Sequence, residues 1–116
     1  MSYRLEKNES IPEIDKFGIH LNVYPEISEN CGVVLVSTEK GHNQEFYDLH
    51  STFTYIILEG SGTYYLDDEE VPVSKGDMLV IEPKTRIYYK GGMKMVLITT
   101  PAWRAENEVE TRPTVW

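Results

Sequence analysis

Apolar side chains recur at every second position along much of this chain. Ile19, Leu21 and Val23 alternate with His20, Asn22 and Tyr24, so the three aliphatic groups share one face of a strand. Val33-Val34-Leu35-Val36, Met78-Leu79-Val80-Ile81 and Met95-Val96-Leu97-Ile98 are apolar without a break. Their length and β-branched content predict strands buried on both faces. Residues 43–50, 52–59 and 62–66 carry Tyr, Phe, Thr or Ile and read as further strands. Turn formers separate these segments at Gly41, Gly60-Ser61-Gly62, Asp67-Asp68, Lys75-Gly76-Asp77, Pro83 and Gly91-Gly92. About ten short strands, roughly 8–12 residues apart, predict an all-β sandwich or barrel. No long segment carries the 3.6-residue apolar stripe of an amphipathic helix.

Length and composition narrow this picture. A chain of 116 residues supports one domain and one modest core. Residues 1–30 are expected to form an N-terminal arm and edge strands, 31–100 the barrel core, and 101–116 a C-terminal tail. The tail is polar, with Glu106, Glu108 and Glu110, and has Trp103 and Trp116 as anchors for a strap. No apolar run approaches the ~20 residues of a membrane-spanning helix, so no membrane partner is expected. The first residues lack the apolar segment of a secretory signal, which makes the cytoplasm the expected location. The single Cys31 excludes an internal disulfide and a multi-cysteine zinc site. Eleven basic against nineteen acidic residues give a net charge of −8, which argues against a nucleic-acid partner.

Two segments carry a specific resemblance. Gly41 and Gly60 stand at the two ends of a pattern spaced like G-x5-H-x-H-x3-E-x6-G, and Tyr55-Ile56-Ile57-Leu58-Glu59-Gly60-Ser61-Gly62 resembles its closing strand and hairpin. Val73-Ser74-Lys75-Gly76-Asp77-Met78-Leu79-Val80-Ile81-Glu82-Pro83 is similar to the second motif of the same family. The family is the cupins. The resemblance implies a single-domain, double-stranded β-helix, the jelly-roll barrel of that family. It also implies where a metal would be held, and there the chain departs from the family. Counted from Gly41, the first two histidine positions are Tyr47 and Leu49, the glutamate position is Phe53, and the third histidine position is Ile87. Leu, Phe and Ile offer no lone pair to a transition metal, and a neutral phenol is a poor substitute. Neither a metal nor any other cofactor is expected.

Strand alternation then predicts an aromatic and aliphatic interior. Phe53, Tyr55 and Ile57 share a face, and Tyr47 and Leu49, with Ile87 and Tyr89, are expected to join them around a pocket. Among histidines, His50 lies inside the first motif but points away from this set by parity, unless a bulge turns it inward. Turned inward, His50 with Tyr47 or Tyr55 would form an acid–base pair. His42 follows Gly41 in an expected mouth loop, and His20 lies on the polar face of an early strand. Glu82, close to Lys84 and Arg86, is expected in a rim ion pair, and Asp67-Asp68-Glu69-Glu70 in a solvated turn.

The expected function is a metal-free barrel that binds a small hydrophobic, aromatic or carbohydrate-like molecule. Two alternatives stand beside it: a metal-independent sugar or sugar-nucleotide isomerase or epimerase working by His and Tyr acid–base chemistry, and an interaction module with a filled barrel. The unbroken apolar runs exceed what one small barrel can cover, so a homodimer is expected.

Overall fold

One strand organises the whole barrel. In the computed structural model, which describes residues 2–115, β5 runs from Thr52 to Leu66 without interruption. The Gly60-Ser61-Gly62 segment, expected to be a hairpin, is instead a corner within that strand. A bulge between Ile57 and Glu59 and a left-handed Gly60 (φ 83°) bend β5 from one sheet into the other. Only glycine serves at position 60, because a Cβ there would collide with the Gly92 carbonyl.

The other elements are β1 (Glu13–Lys16), β2 (Ile19–Val23), β3 (Gly32–Thr38), β4 (Gly41–Asp48), β6 (Glu69–Ser74), β7 (Met78–Ile81), β8 (Ile87–Lys90), β9 (Met93–Thr100) and β10 (Glu108–Pro113). The order is β1-β2-β3-β9-β5-β8-β4-β10, with β6 and β7 also paired to β5, and every pairing is antiparallel. The N-terminal half of β5 takes β9 and β7, and its C-terminal half takes β8 and β6. The fold is the all-β, double-stranded helix that the alternation and motifs implied.

Alternation decides what is buried. Phe53, Tyr55 and Ile57 of β5 face in, with Tyr64 further along, and Ile87, Tyr89, Met93 and Met95 meet them from β8 and β9. The unbroken apolar runs do not behave as expected. A barrel wall has one interior face, so Ile81 is buried while Met78 and Val80 stand 65% and 52% exposed. Residues 108–113, expected to be part of a polar strap, pair as a strand with β4. Trp116, the second expected anchor, lies outside the described residues.

A buried carboxylate fixes that last strand. Glu45 of β4 accepts hydrogen bonds from Thr111 Oγ1 (2.7 Å), Arg112 Nε (3.2 Å) and Arg86 Nη1 (3.3 Å). Arg86 and Arg112 both continue to Asp68 in the β5–β6 turn. Arg86 therefore takes these acids as partners rather than Glu82. Burial opposes ionisation of Glu45, yet the Arg112 and Thr111 hydrogen bonds hold its pKa below the ordinary value.

Candidate active site

The barrel encloses a cavity of about 130 Å³ on the side where its sheet path begins and ends. Its back wall is aliphatic, built from residues such as Leu21 and Val36 of β2 and β3 and Leu97 of β9. The opposite wall is a chain of aromatic contacts. His42 lies 4.8 Å from Phe46 and 5.6 Å from Tyr89 between ring centroids, Phe46 meets Phe53, and Phe53 meets Tyr55. Tyr55 closes the circuit onto Tyr89 at 6.0 Å. The volume is close to the ~150 Å³ of an engineered cavity that holds one benzene ring, and well below a typical ~300–1,000 Å³ ligand site. One five- or six-membered ring fits. A wider, open groove of about 800 Å³ lies at the β1–β2 hairpin, where Asp15, His20 and Ser37 present the face of the sheet opposite the cavity.

His42 faces inward with the other buried even-numbered positions of β4, Phe46 and Asp48. His42 pairs with Tyr89 and Phe46 with Ile87, so β4 advances four residues where β8 advances two. Residues 43–45 absorb the two extra residues, an even number that preserves the alternation, so His42 and Phe46 stay on the interior face while Glu45 meets β10. Gly41 makes this possible. It adopts φ 123°, and a Cβ there would run into the Tyr89 carbonyl. The Gln44 amide donates to His42 Nδ1 at 3.3 Å, which puts the proton of the neutral ring on Nε2. Burial, aided by the Lys16 charge, pushes the His42 pKa down from 6.5 to about 4. The imidazole is therefore uncharged at neutral pH.

Tyr55 and Tyr89 are its polar companions. Burial raises both phenols above their ordinary pKa, so each keeps its proton and remains a donor. Among the described residues neither hydroxyl has a hydrogen-bond partner, whereas the deeper Tyr64 donates to Met95 Sδ at 2.9 Å. Two buried phenols at a cavity wall with spare donors are equipped to hold ligand oxygens.

The mouth is made by the two strands that end the sheet path. Lys16 of β1 approaches Glu108 of β10 at 3.5 Å. The other Glu108 oxygen accepts the Trp103 indole N–H at 3.2 Å, and the Lys16 ammonium lies 5.2 Å from the Trp103 ring centre.

Of the residues expected at the pocket, Phe53, Tyr55 and Tyr89 line this cavity. Ile57 and Ile87 are buried in the core but do not line it. Tyr47 and Leu49 do not line it either. On β4 the even-numbered Phe46 and Asp48 are buried, and half-buried Tyr47 pairs with Val109 of β10. The parity of β5 does not carry back across the turn, where Asp48 Oδ1 accepts the His50 and Ser51 amides and resets the alternation. His50 is exposed at that turn and does not line the cavity. Sequence reasoning did not select His42, Lys16, Trp103 or Glu108 for the site. The one local signal was His42 directly after Gly41, at the start of the motif. Among the described residues no group of three His, Cys, Asp or Glu side chains is placed to hold a metal ion.

No family model and no curated protein matches the chain. Solved structures do. Streptomyces PAC13 (H42Q) with uridine superimposes with a TM-score of 0.94 at 36% identity, covering 98% of this chain and 95% of that one. Pac13, described as a unique nucleoside dehydratase, matches at 37% identity, a TM-score of 0.94 and the same coverage. PAC13 Y55F and Y89F, each with uridine, also match with a TM-score of 0.94. An RmlC-like cupin from Shewanella frigidimarina shares the fold with a TM-score of 0.74 at 16% identity, over 90% of this chain and 96% of that one.

Proposed function

Because this chain belongs to the cupin superfamily and has Pac13 as a relative over nearly its whole length, we propose that it is a nucleoside-binding enzyme that eliminates water from its ligand. One observation carries the reading: a buried, uncharged His42 shares a one-ring cavity with Tyr55 and Tyr89, whose hydroxyls are free to donate. PAC13 was solved with uridine after exchange of a histidine or tyrosine under each of these three numbers, and this chain keeps the histidine and both tyrosines.

The chemistry follows from the groups present. Eliminating water from an alcohol breaks a C–H and a C–O bond, and the proton and hydroxide leave together as water. The base must be uncharged and close. The unprotonated Nδ1 of His42 is the nitrogen able to take that proton, giving up the 3.3 Å contact from the Gln44 amide, and the imidazolium so formed, with a pKa near 4, hands the proton to the departing hydroxyl. Tyr55 and Tyr89 stay neutral and hold ligand oxygens by donating to them. The cavity volume suits a single ring, and its phenol donors suit the hydroxyl-bearing sugar. The steps use protein side chains alone, and the reading therefore includes the metal-free chemistry expected from the sequence.

Incubation of the purified chain with uridine and related nucleosides, followed by mass spectrometry for loss of one water, tests the proposal. The expected result is turnover that His42→Gln abolishes and Tyr55→Phe or Tyr89→Phe lowers by about tenfold or more. Nucleoside binding without turnover would reduce the function to that of a binding barrel, and absence of binding would overturn the reading. The homodimer belongs to the same proposal: Leu58, Met78 and Val80 leave an apolar outer patch for a second copy to cover. Light scattering at micromolar concentration reads this directly, and a monomer rejects it.

A further inference from the structure

The cavity holds one cation and one anion, and they neutralise each other. Among the described residues lining it, Lys16 is the single lysine or arginine and Glu108 the single acidic residue. Their side chains are 30% and 15% exposed, so water screens the pair only partly. Both Glu108 oxygens are engaged, one by Lys16 and one by Trp103, and Lys16 is further bracketed by the Trp103 and Phe17 rings. Every other lining group is apolar or neutral, including His42.

Within the cavity lining, nothing beside this pair could receive a phosphate. No glycine lines the cavity, and the helical segments among the described residues are two three-residue turns, neither of which reaches it. A phosphate-binding nest of backbone amides is therefore absent from the described wall. A phosphate ester brings roughly −1.5 to −2 charges at pH 7. To reach Lys16 it must displace Glu108 and leave that carboxylate partly buried and unpaired. To avoid Lys16 it must sit against aliphatic and phenolic groups, which is costlier still. The chain as a whole carries a net charge of −8, which adds a general repulsion. A sugar hydroxyl meets no such obstacle, because it can donate to Glu108 while Lys16 stays in place.

Resting on the nucleoside reading above, we propose that Glu108 is a specificity-determining residue: paired with Lys16, it admits uncharged nucleosides and excludes their phosphate esters. The test is calorimetric titration of the full chain with uridine and with uridine 5′-monophosphate, at low and at physiological ionic strength. The wild-type chain should bind uridine about 100-fold or more tightly than the monophosphate. Glu108→Gln releases Lys16 for the phosphate and should narrow that ratio by about tenfold or more. Lys16→Met leaves Glu108 without its cation and should widen it, which keeps the idea testable if the glutamine variant folds poorly. Equal wild-type affinities, or a ratio that neither substitution moves, would overturn the proposal while leaving the nucleoside reading intact. A chain that binds neither compound would overturn that reading, and this one with it.

Discussion

Acid should destabilise this barrel through one buried imidazole. His42 is 5% exposed and wedged against Phe46, Phe17 and Tyr89, and its pKa falls from 6.5 to about 4 on folding. Between those values the unfolded chain binds a proton that the folded chain refuses, so stability must fall as pH falls. The loss begins near pH 6.5, steepens to about 1.4 kcal/mol per pH unit, and levels off below pH 4, where both states are protonated. Across the window the total is ~3 kcal/mol, a large share of the ~5–15 kcal/mol that holds an ordinary domain together. Urea denaturation of the wild type and of His42→Gln, at half-unit steps from pH 7.5 to 4, isolates this contribution. Carboxylates such as Glu45 contribute to both proteins alike and cancel in the difference. The wild type should lose ~3 kcal/mol relative to the glutamine variant between pH 7 and 4. Glutamine does not titrate, and a PAC13 barrel carrying that exchange has been solved. Parallel stability curves for the two proteins would refute the argument, since they would mean that His42 is already protonated, or solvated, in the folded state.

Other perturbations test the parts that build the site. Gly41→Ala forces a Cβ into the Tyr89 carbonyl at a φ that L-residues rarely adopt, and should cost ~3 kcal/mol or more of stability by urea denaturation. An alanine variant as stable as wild type would show that the His42 bulge does not need its glycine. Glu45→Gln weakens the hydrogen bonds that tie Thr111 and Arg112 to β4 and should cost about 1–3 kcal/mol. Hydrogen exchange should then quicken selectively in β10, carrying Glu108 out of place, whereas uniform protection would deny the clamp its local role.

The sequence by itself determined that the chain would roll into an antiparallel barrel with an aromatic interior. Alternation along β2, β5 and β8 places Leu21, Phe53, Tyr55 and Tyr89 inward whatever the exact register, because burying the apolar face of each strand dominates its energy. The glycines at 41 and 60 announced tight backbone passages, and the close approaches at Tyr89 and Gly92 are the physical cause. What it could not determine was which strand faces change across a turn or a bulge. Alternation is a rule within one strand: the Asp48-capped turn resets it between β4 and β5, so the even positions of β4 face in, which brought His42 to the cavity and left Tyr47 and Leu49 off its wall. Nor does any local pattern pair Lys16 with Glu108. They stand 92 residues apart, and they meet because sheet curvature brings the first strand of the path against the last. The cavity's chemistry is thus a property of closure, which a linear pattern of apolar and polar positions does not encode.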